Sequence, residues 1–256
     1  MGRSTEVVPG GSGPRTRRKL PVWAESILLL VLAVVLALVV KTFFVQAFYI
    51  PSGSMEPGLV KNDRILVQKV SYWGSGSPQR GDIVVFDDPG GWLPLEEEAA
   101  PTNAVTSLLS RIGLYPTGGH LVKRVIGIAG DTIHCCDTQG RVEVDGVPLD
   151  SSAFIKDAGA CQAPMIGCDW TAGPVPKGYL FVLGDHRDDS ADSSFHLCRG
   201  AKTGCDPMDA YVPVGLVTGK VFARVWPASR FGLLHRPAVF DALDAAIARE
   251  RDDSGG

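Results

Sequence analysis

The chain has 256 residues, of which 45% are hydrophobic and 21% charged, enough apolar material for one sizeable globular core or two small ones in an ordinary folded composition. Its formal net charge of -3 leaves no basic footprint of the kind that binds nucleic acid. The one basic cluster, Arg15, Arg17, Arg18 and Lys19, is local and closes a Gly-, Ser- and Pro-rich start, so residues 1–22 are expected to form a disordered basic tail.

An uncharged run follows, "SILLLVLAVVLALVV" from Ser26 to Val40, flanked by Trp23 and by "TFFVQAFYI" after Lys41. Together these reach the roughly 20 residues that cross a bilayer, and residues 23–48 are expected to be a transmembrane anchor. A cleaved secretory signal is the competing reading, because the basic residues and Val45-Gln46-Ala47 fit one; such signals, however, carry a shorter apolar region of about 7–15 residues. Positive residues stay on the cytoplasmic side, which places the N-terminus inside and everything after Phe48 in the exoplasm. The lipid bilayer is thus the first expected partner.

Beyond the anchor come short runs rich in Val, Ile, Leu and aromatics: "DRILVQKV", "GDIVVFDDP", "HLVKRVIGIAGD", "RVEVDGVPL", "GYLFVLGD" and "LVTGKVFARVWP". Gly, Pro and Asp bound them, the punctuation of antiparallel strands, and residues 49–230 are expected to form a mainly β exoplasmic domain. Asp145-Gly146 marks a two-residue hairpin turn. Residues 88–119 are longer than a compact β domain requires and read as a surface insertion with helical character in "NAVTSLLSRIG". Residues 231–256 read as an amphipathic tail helix with a disordered end.

All 6 cysteines lie in the expected exoplasmic part, where disulfides persist. Cys198 and Cys205 are close enough to close a small loop. A Cys198–Cys205 bridge is therefore expected, whereas Cys135 and Cys136 are adjacent, which does not suit an easy bond to each other, and spacing leaves either of them free to pair with Cys161 or Cys168. The absence of any C-x-x-C pair makes a metal site the weaker reading.

Two residues stand out chemically. Ser54, in "PSGSMEP", follows the anchor within about ten residues, so the length of extended chain keeps it within roughly 35 Å of the membrane. A serine nucleophile needs a base, His or neutral Lys, and the five histidines leave a Ser/His/Asp arrangement open. In "HLVKRVIG" the strand period of two puts Lys123 on the same face as Leu121 and Val125, where desolvation lowers an amine pKa, while Arg124 faces the other way. The plain alternative is that both are surface charges on an edge strand.

In order after an anchor, "PSGSMEPGL", "RGDIVVF", "VKRVIGIAGD" and "GDHRDDSADS" resemble the successive motifs of type I signal peptidases, membrane-bound Ser/Lys proteases that remove signal peptides from exported proteins. The resemblance implies Ser54 as nucleophile and Lys123 as general base, with Ser52 and the Ser54 backbone N–H stabilising the oxyanion. It implies that Ser190 holds the lysine amine and that Asp185, Arg187 and Asp192 support the site. The family's last motif normally ends in an arginine that pairs with the aspartate matching Asp192; this chain has Ser194 there. His186 is read as structural, because Lys123 already fills the role of base. The implied fold is an antiparallel β-barrel-like catalytic core with a smaller inserted β region, here residues 132–176. The implied substrates are secretory preproteins with small residues, Ala-X-Ala, before the cut, and neither metal nor organic cofactor is implied. Two other readings compete: a membrane-anchored β-domain that binds partners without catalysis, and a self-cleaving Ser/Lys regulator, against which the anchor and the lack of a basic DNA-reading segment argue.

Overall fold

The computed structural model describes residues 21–72, 74, 76–93, 119–156, 167, 169–198 and 204–254, without the side chains of 41–43. The expected basic tail up to residue 20, most of the 88–119 insertion, Cys161 and Cys168 therefore lie outside the described residues.

Helix α1 spans Val22–Phe43. Its stretch Val22–Val40 has a mean hydropathy of 2.7 and none of it is buried, so it is long and apolar enough to cross a membrane. Of the residues 23–48 expected as the anchor, the helix takes those up to Phe43. Residues 45–48 belong to strand β1 (Val45–Tyr49), which pairs antiparallel with β2 (Arg64–Gln68). Uniform apolarity hid the boundary; the alternation introduced by Gln46 marks it. By contact, residues up to Val39 and residues from Val40 onward are two separate units.

In the second unit the remaining strands are β3 (Ile83–Asp87), β4 (His120–Gly127), β5 (Ile133–Cys135), β6 (Val142–Val144), β7 (Val147–Pro148), β8 (Trp170–Ala172), β9 (Tyr179–Leu183), β10 (Val212–Pro213), β11 (Val217–Trp226) and β12 (Gly232–Leu233). Among the described residues they form an antiparallel sheet in the order β1-β2-β11-β3-β4-β9-β10, with β12 on β11, and a smaller sheet in the order β7-β6-β5-β8. Each of the six strand-like runs of the sequence contains a strand. The shorter β5, β8, β10 and β12 carry too few residues to show a period.

Strand β4 is the centre of the large sheet, not its edge. It pairs with β3 over His120–Arg124 and with β9 over Arg124–Gly127, and Lys123 and Arg124 are both buried. Val84, Phe86, Leu121, Val125, Leu180 and Val182 pack on one side of this region, and Ile50, Met55, Leu59, Ile65, Val67 and Val85 form a second cluster beneath the Ser54 turn. In the small sheet the β6–β7 hairpin turns at Asp145 and Gly146, both at positive φ (50° and 81°), the geometry the Asp-Gly pair favours.

Helix α2 (Val239–Ser254) begins later than the sequence suggested and buries Phe240, Leu243 and Ile247, an i, i+3, i+7 stripe, in the core of the small sheet. Cys198 and Cys205 are bonded, with Cα atoms 5.7 Å apart. Cys135, the last residue of β5, and Cys136 are bonded to each other, which corrects the reading that a bond between these neighbours is unsuited and that either pairs with Cys161 or Cys168.

Arg80 and Asp131 tie the two sheets to α2. The fully buried Asp131 carboxylate accepts from Arg80 Nε and Nη2, both at 2.6 Å, and from the Ile128 N–H, while Arg80 Nη1 reaches Asp244 on α2. Removing one member of a buried pair leaves the other without a counter-charge. We expect Asp131→Ala to lower unfolding stability by about 3–5 kcal/mol, read as a shift of the urea midpoint of the full chain in detergent.

Candidate active site

The turn after β1 carries Ser54, and the centre of β4 carries Lys123. Lys123 Nζ lies 2.8 Å from Ser54 Oγ. The two side chains are 4% and 7% exposed, so water competes little for that contact. Ser52 Oγ sits 3.3 Å from Ser54 Oγ, on an exposed residue at the mouth of the site.

Burial pushes the Lys123 amine down from its ordinary 10.5 to about 8. The carboxylates of Asp192, Asp189 and Asp185 pull it back up, but less strongly than desolvation pushes it down. An amine with this pKa has a minor unprotonated fraction near neutral pH, and in that form its lone pair can accept the proton of the serine hydroxyl.

Those carboxylates are largely engaged elsewhere. Asp185 accepts a bidentate pair from Arg124 at 2.7 and 2.6 Å, and Arg124 also donates to Gly81 O and lies over the Phe154 ring. The two neighbours on β4 thus divide the work by the strand's alternation, Lys123 toward the serine and Arg124 toward the aspartate. Asp192 accepts from Gly184 N at 2.8 Å and from the backbone and hydroxyl of Ser194. Ser194 therefore supplies, within the same turn, the partner that an arginine was expected to give.

Arg187 is buried, and among the described residues its Nε and Nη2 make no hydrogen bond; burial lowers its pKa against the attraction of Asp185 and Asp192. Ser190 is fully buried, and among the described residues its hydroxyl makes no hydrogen bond either, to Lys123 or to another group. Gly184 lets this loop close on the nucleophile: a Cβ there would stand 2.3 Å from Ser190 Oγ and 2.5 Å from Ser54 O.

His186 turns its ring away from the serine hydroxyl. Its backbone N–H donates to Ser54 O at 3.0 Å, its Nδ1 faces Gly53 O at 3.2 Å, and its Nε2 is 3.1 Å from Asp188. It braces the backbone on either side of the nucleophile. Glu56 and Lys156, joined at 2.7 Å, and the Lys156 N–H on Asp185 O tie the same turn to the loop after β7. Met55, beside the nucleophile, is 1% exposed and packs beneath the turn.

Ser54 and Lys123 open into a cleft of about 190 Å³ lined by Ile50, Ser52, Leu121, Val122, Ala191, Trp92 and Leu93. Trp92 and Leu93 were missed in the sequence because they sit in a Gly-Pro stretch, "DPGGWLP", that shows no period. Among the described residues no group of three or more His, Cys, Asp or Glu side chains is placed to hold a metal ion.

The family model for signal peptidase, peptidase S26, matches residues 23–226. The chain is 36% identical over 247 residues to a probable signal peptidase I of Mycobacterium leprae strain TN, covering 90% of this chain and 84% of that protein. It is 38% identical over 228 residues to a signal peptidase I of Mycobacterium tuberculosis strain H37Rv, covering 82% and 74%. A signal peptidase I of Leptolyngbya laminosa is 35% identical over 231 residues, covering 90% and 91%.

A depressed lysine pKa has a signature in stability. Between about pH 8 and 10.5 the unfolded chain holds a proton on Lys123 that the folded chain has released, so stability rises with pH across that window, and the burial penalty is fully present below it. Moving the pKa this far corresponds to about 3 kcal/mol. Lys123→Met should therefore be more stable than the wild type at neutral pH, by an amount that shrinks by about 3 kcal/mol as pH passes about 10. Denaturant unfolding of both proteins at the two pH values measures it; a difference independent of pH would mean that the buried amine is not desolvated.

Proposed function

Because the chain belongs to the signal peptidase family, peptidase S26, we propose that it removes signal peptides from secretory preproteins by a Ser54/Lys123 dyad at the exoplasmic membrane surface. It is a serine peptidase, a hydrolase, by that membership. The observation that carries the dyad is the buried 2.8 Å contact between Lys123 Nζ and Ser54 Oγ, with the amine held near pKa 8.

In this mechanism neutral Lys123 takes the Ser54 hydroxyl proton as Oγ attacks the carbonyl carbon of the scissile bond. The charge that develops on the carbonyl oxygen meets the Ser54 N–H and the Ser52 hydroxyl; one such donor is worth roughly 3–4 kcal/mol in the transition state. Protonated Lys123 gives its proton to the leaving amine as the C–N bond breaks, which leaves the signal peptide esterified to Ser54. Water then attacks the ester, Lys123 accepts its proton, and Ser54 recovers a proton as the carboxylate departs. Asp185, Arg187 and Asp192 hold the surrounding loops, and Ser190 fixes the space beside Gly184 rather than donating to the amine in the resting enzyme. Small residues of the Ala-X-Ala type precede the cut.

Helix α1 anchors the chain once across the membrane, with the basic N-terminus in the cytoplasm. Nucleophile and substrate are then both confined to the bilayer surface, which raises their effective concentration. Anchored binding without catalysis would leave unexplained why a strand at the centre of the sheet buries an amine against a serine.

Cleavage of a generic preprotein in detergent tests the dyad. Ser54→Ala, Lys123→Ala and Lys123→Arg should each lose about 10³-fold or more, and the double alanine variant should be no worse than either single one, because the pair acts as a unit. Arginine fails because guanidinium does not release its proton at working pH. An active Lys123→Arg enzyme would overturn the assignment.

The wild-type rate should rise about tenfold per pH unit below about pH 8 and level off above it, since only the neutral amine accepts the proton. A chain beginning at Val45 retains every strand and both members of the dyad. It should keep its activity on a short soluble Ala-X-Ala peptide while losing efficiency on a preprotein inserted in liposomes. Equal loss on both substrates would show that the anchor serves folding rather than placement.

A further inference from the structure

One wall of the cleft comes from outside all four motifs. Trp92 lies in the loop between β3 and β4, six residues beyond Phe86, and lines the same cleft as Ser54 and Lys123. It is 5% exposed although it sits on a loop.

Four separate contacts fix it. The indole stacks on the His196 ring with centroids 4.5 Å apart and planes 7° from parallel, and it meets Phe86 edge-on at 6.0 Å. Its Nε1–H donates to Asp209 O at 3.0 Å. The Asp88 carboxylate accepts from the backbone N–H groups of Gly90, Trp92 and Leu93 at 2.9, 3.1 and 3.0 Å, which locks the turn that presents the ring. An indole held by a strand, a loop beyond the Asp192 turn and a 3-10 turn at Pro207–Ala210 has no free direction in which to give way.

A wall with no freedom to yield limits the length of whatever lies against it. Beside the polar Ser52, His120, Asp189 and the dyad, the lining carries aliphatic surface at Ile50, Leu121, Val122 and Leu93, on which an apolar side chain can rest. We propose that Trp92 is a specificity-determining residue: its ring closes a subsite for one short aliphatic side chain of the bound preprotein and excludes longer ones. This rests on the signal peptidase reading above and adds to it a residue that none of the recognised motifs contains.

Within a hydrophobic pocket one methylene discriminates by about 10–200-fold. The test measures kcat/KM of the full-length chain in detergent on preproteins that carry Ala or Leu at the position before the scissile bond, at the third position before it, or at the position after it. Trp92→Ala should raise the Leu-to-Ala ratio at least about tenfold at one of these positions and leave the ratios at the others unchanged. Trp92→Phe, which keeps an aromatic ring in place, should raise the same ratio by a smaller factor.

The ratio is internal to each variant, so a general loss of folded enzyme does not move it. If Trp92→Ala does not fold, as judged by its thermal transition, Trp92→Phe and Leu93→Ala carry the test at the same position. Ratios within about twofold of wild type at all three positions would overturn the proposal while leaving the dyad untouched. Failure of the wild type to cleave any of the preproteins would instead remove the signal peptidase reading, and this subsite with it.

Discussion

A lysine acts as a base only when its environment makes the ammonium form costly, and in this protein the environment is the centre of a β-sheet. Strand β4 lies inside the sheet, paired with β3 over His120–Arg124 and with β9 over Arg124–Gly127, and its Lys123 is buried beside the Ser54 turn. Desolvation is the largest influence on its pKa.

Placing carboxylates nearby threatens this arrangement, because each one favours the charged amine. The structure limits the threat by giving those carboxylates other partners. Arg124, the next residue along β4, takes both oxygens of Asp185, and Ser194 and Gly184 take those of Asp192. Buried charges that are paired and hydrogen-bonded can be tolerated, whereas a free carboxylate at the same distance would compete directly for the Lys123 proton. The aspartates are thus useful as scaffold for the loop that braces Ser54 from behind, through the His186 N–H and the tight approach at Gly184.

Much of this is legible in the sequence because strand periodicity and turn punctuation are local signals. The faces of Lys123 and Arg124 follow from the period of two, and the hairpin at Asp145-Gly146 follows from the dipeptide. What stayed hidden depends on distant partners. That β4 is central could not be read from "HLVKRVIG", since edge and centre differ in neighbours rather than in pattern. The boundary between α1 and β1 vanished inside one continuous apolar run. The burial of Met55 depends on Leu59, Ile65 and Val67 closing over it, and the Cys135–Cys136 bond contradicts the ordinary expectation for adjacent residues. Trp92 looked like part of an insertion without a role, because its meaning lies in Phe86, His196 and Asp209, the last two more than a hundred residues away.

The same contrast separates two kinds of precision in the site. Nucleophile and base come from elements fixed by backbone pairing: β4 within its sheet, and a turn held by the Ile50 and Asn62 hydrogen bonds at its ends. The cleft wall comes from a loop, and a loop can supply a rigid surface only if side chains do what strand pairing does elsewhere. Asp88 does this for the backbone of residues 90–93, and stacking on His196 does it for the ring. Since loops accept substitution more readily than paired strands, dyad chemistry and side-chain selection are carried by parts of the molecule that can vary independently. A change in Asp88 or His196, neither of which touches Ser54, would therefore act on which peptides fit the cleft while leaving the proton transfer between Lys123 and Ser54 as it is.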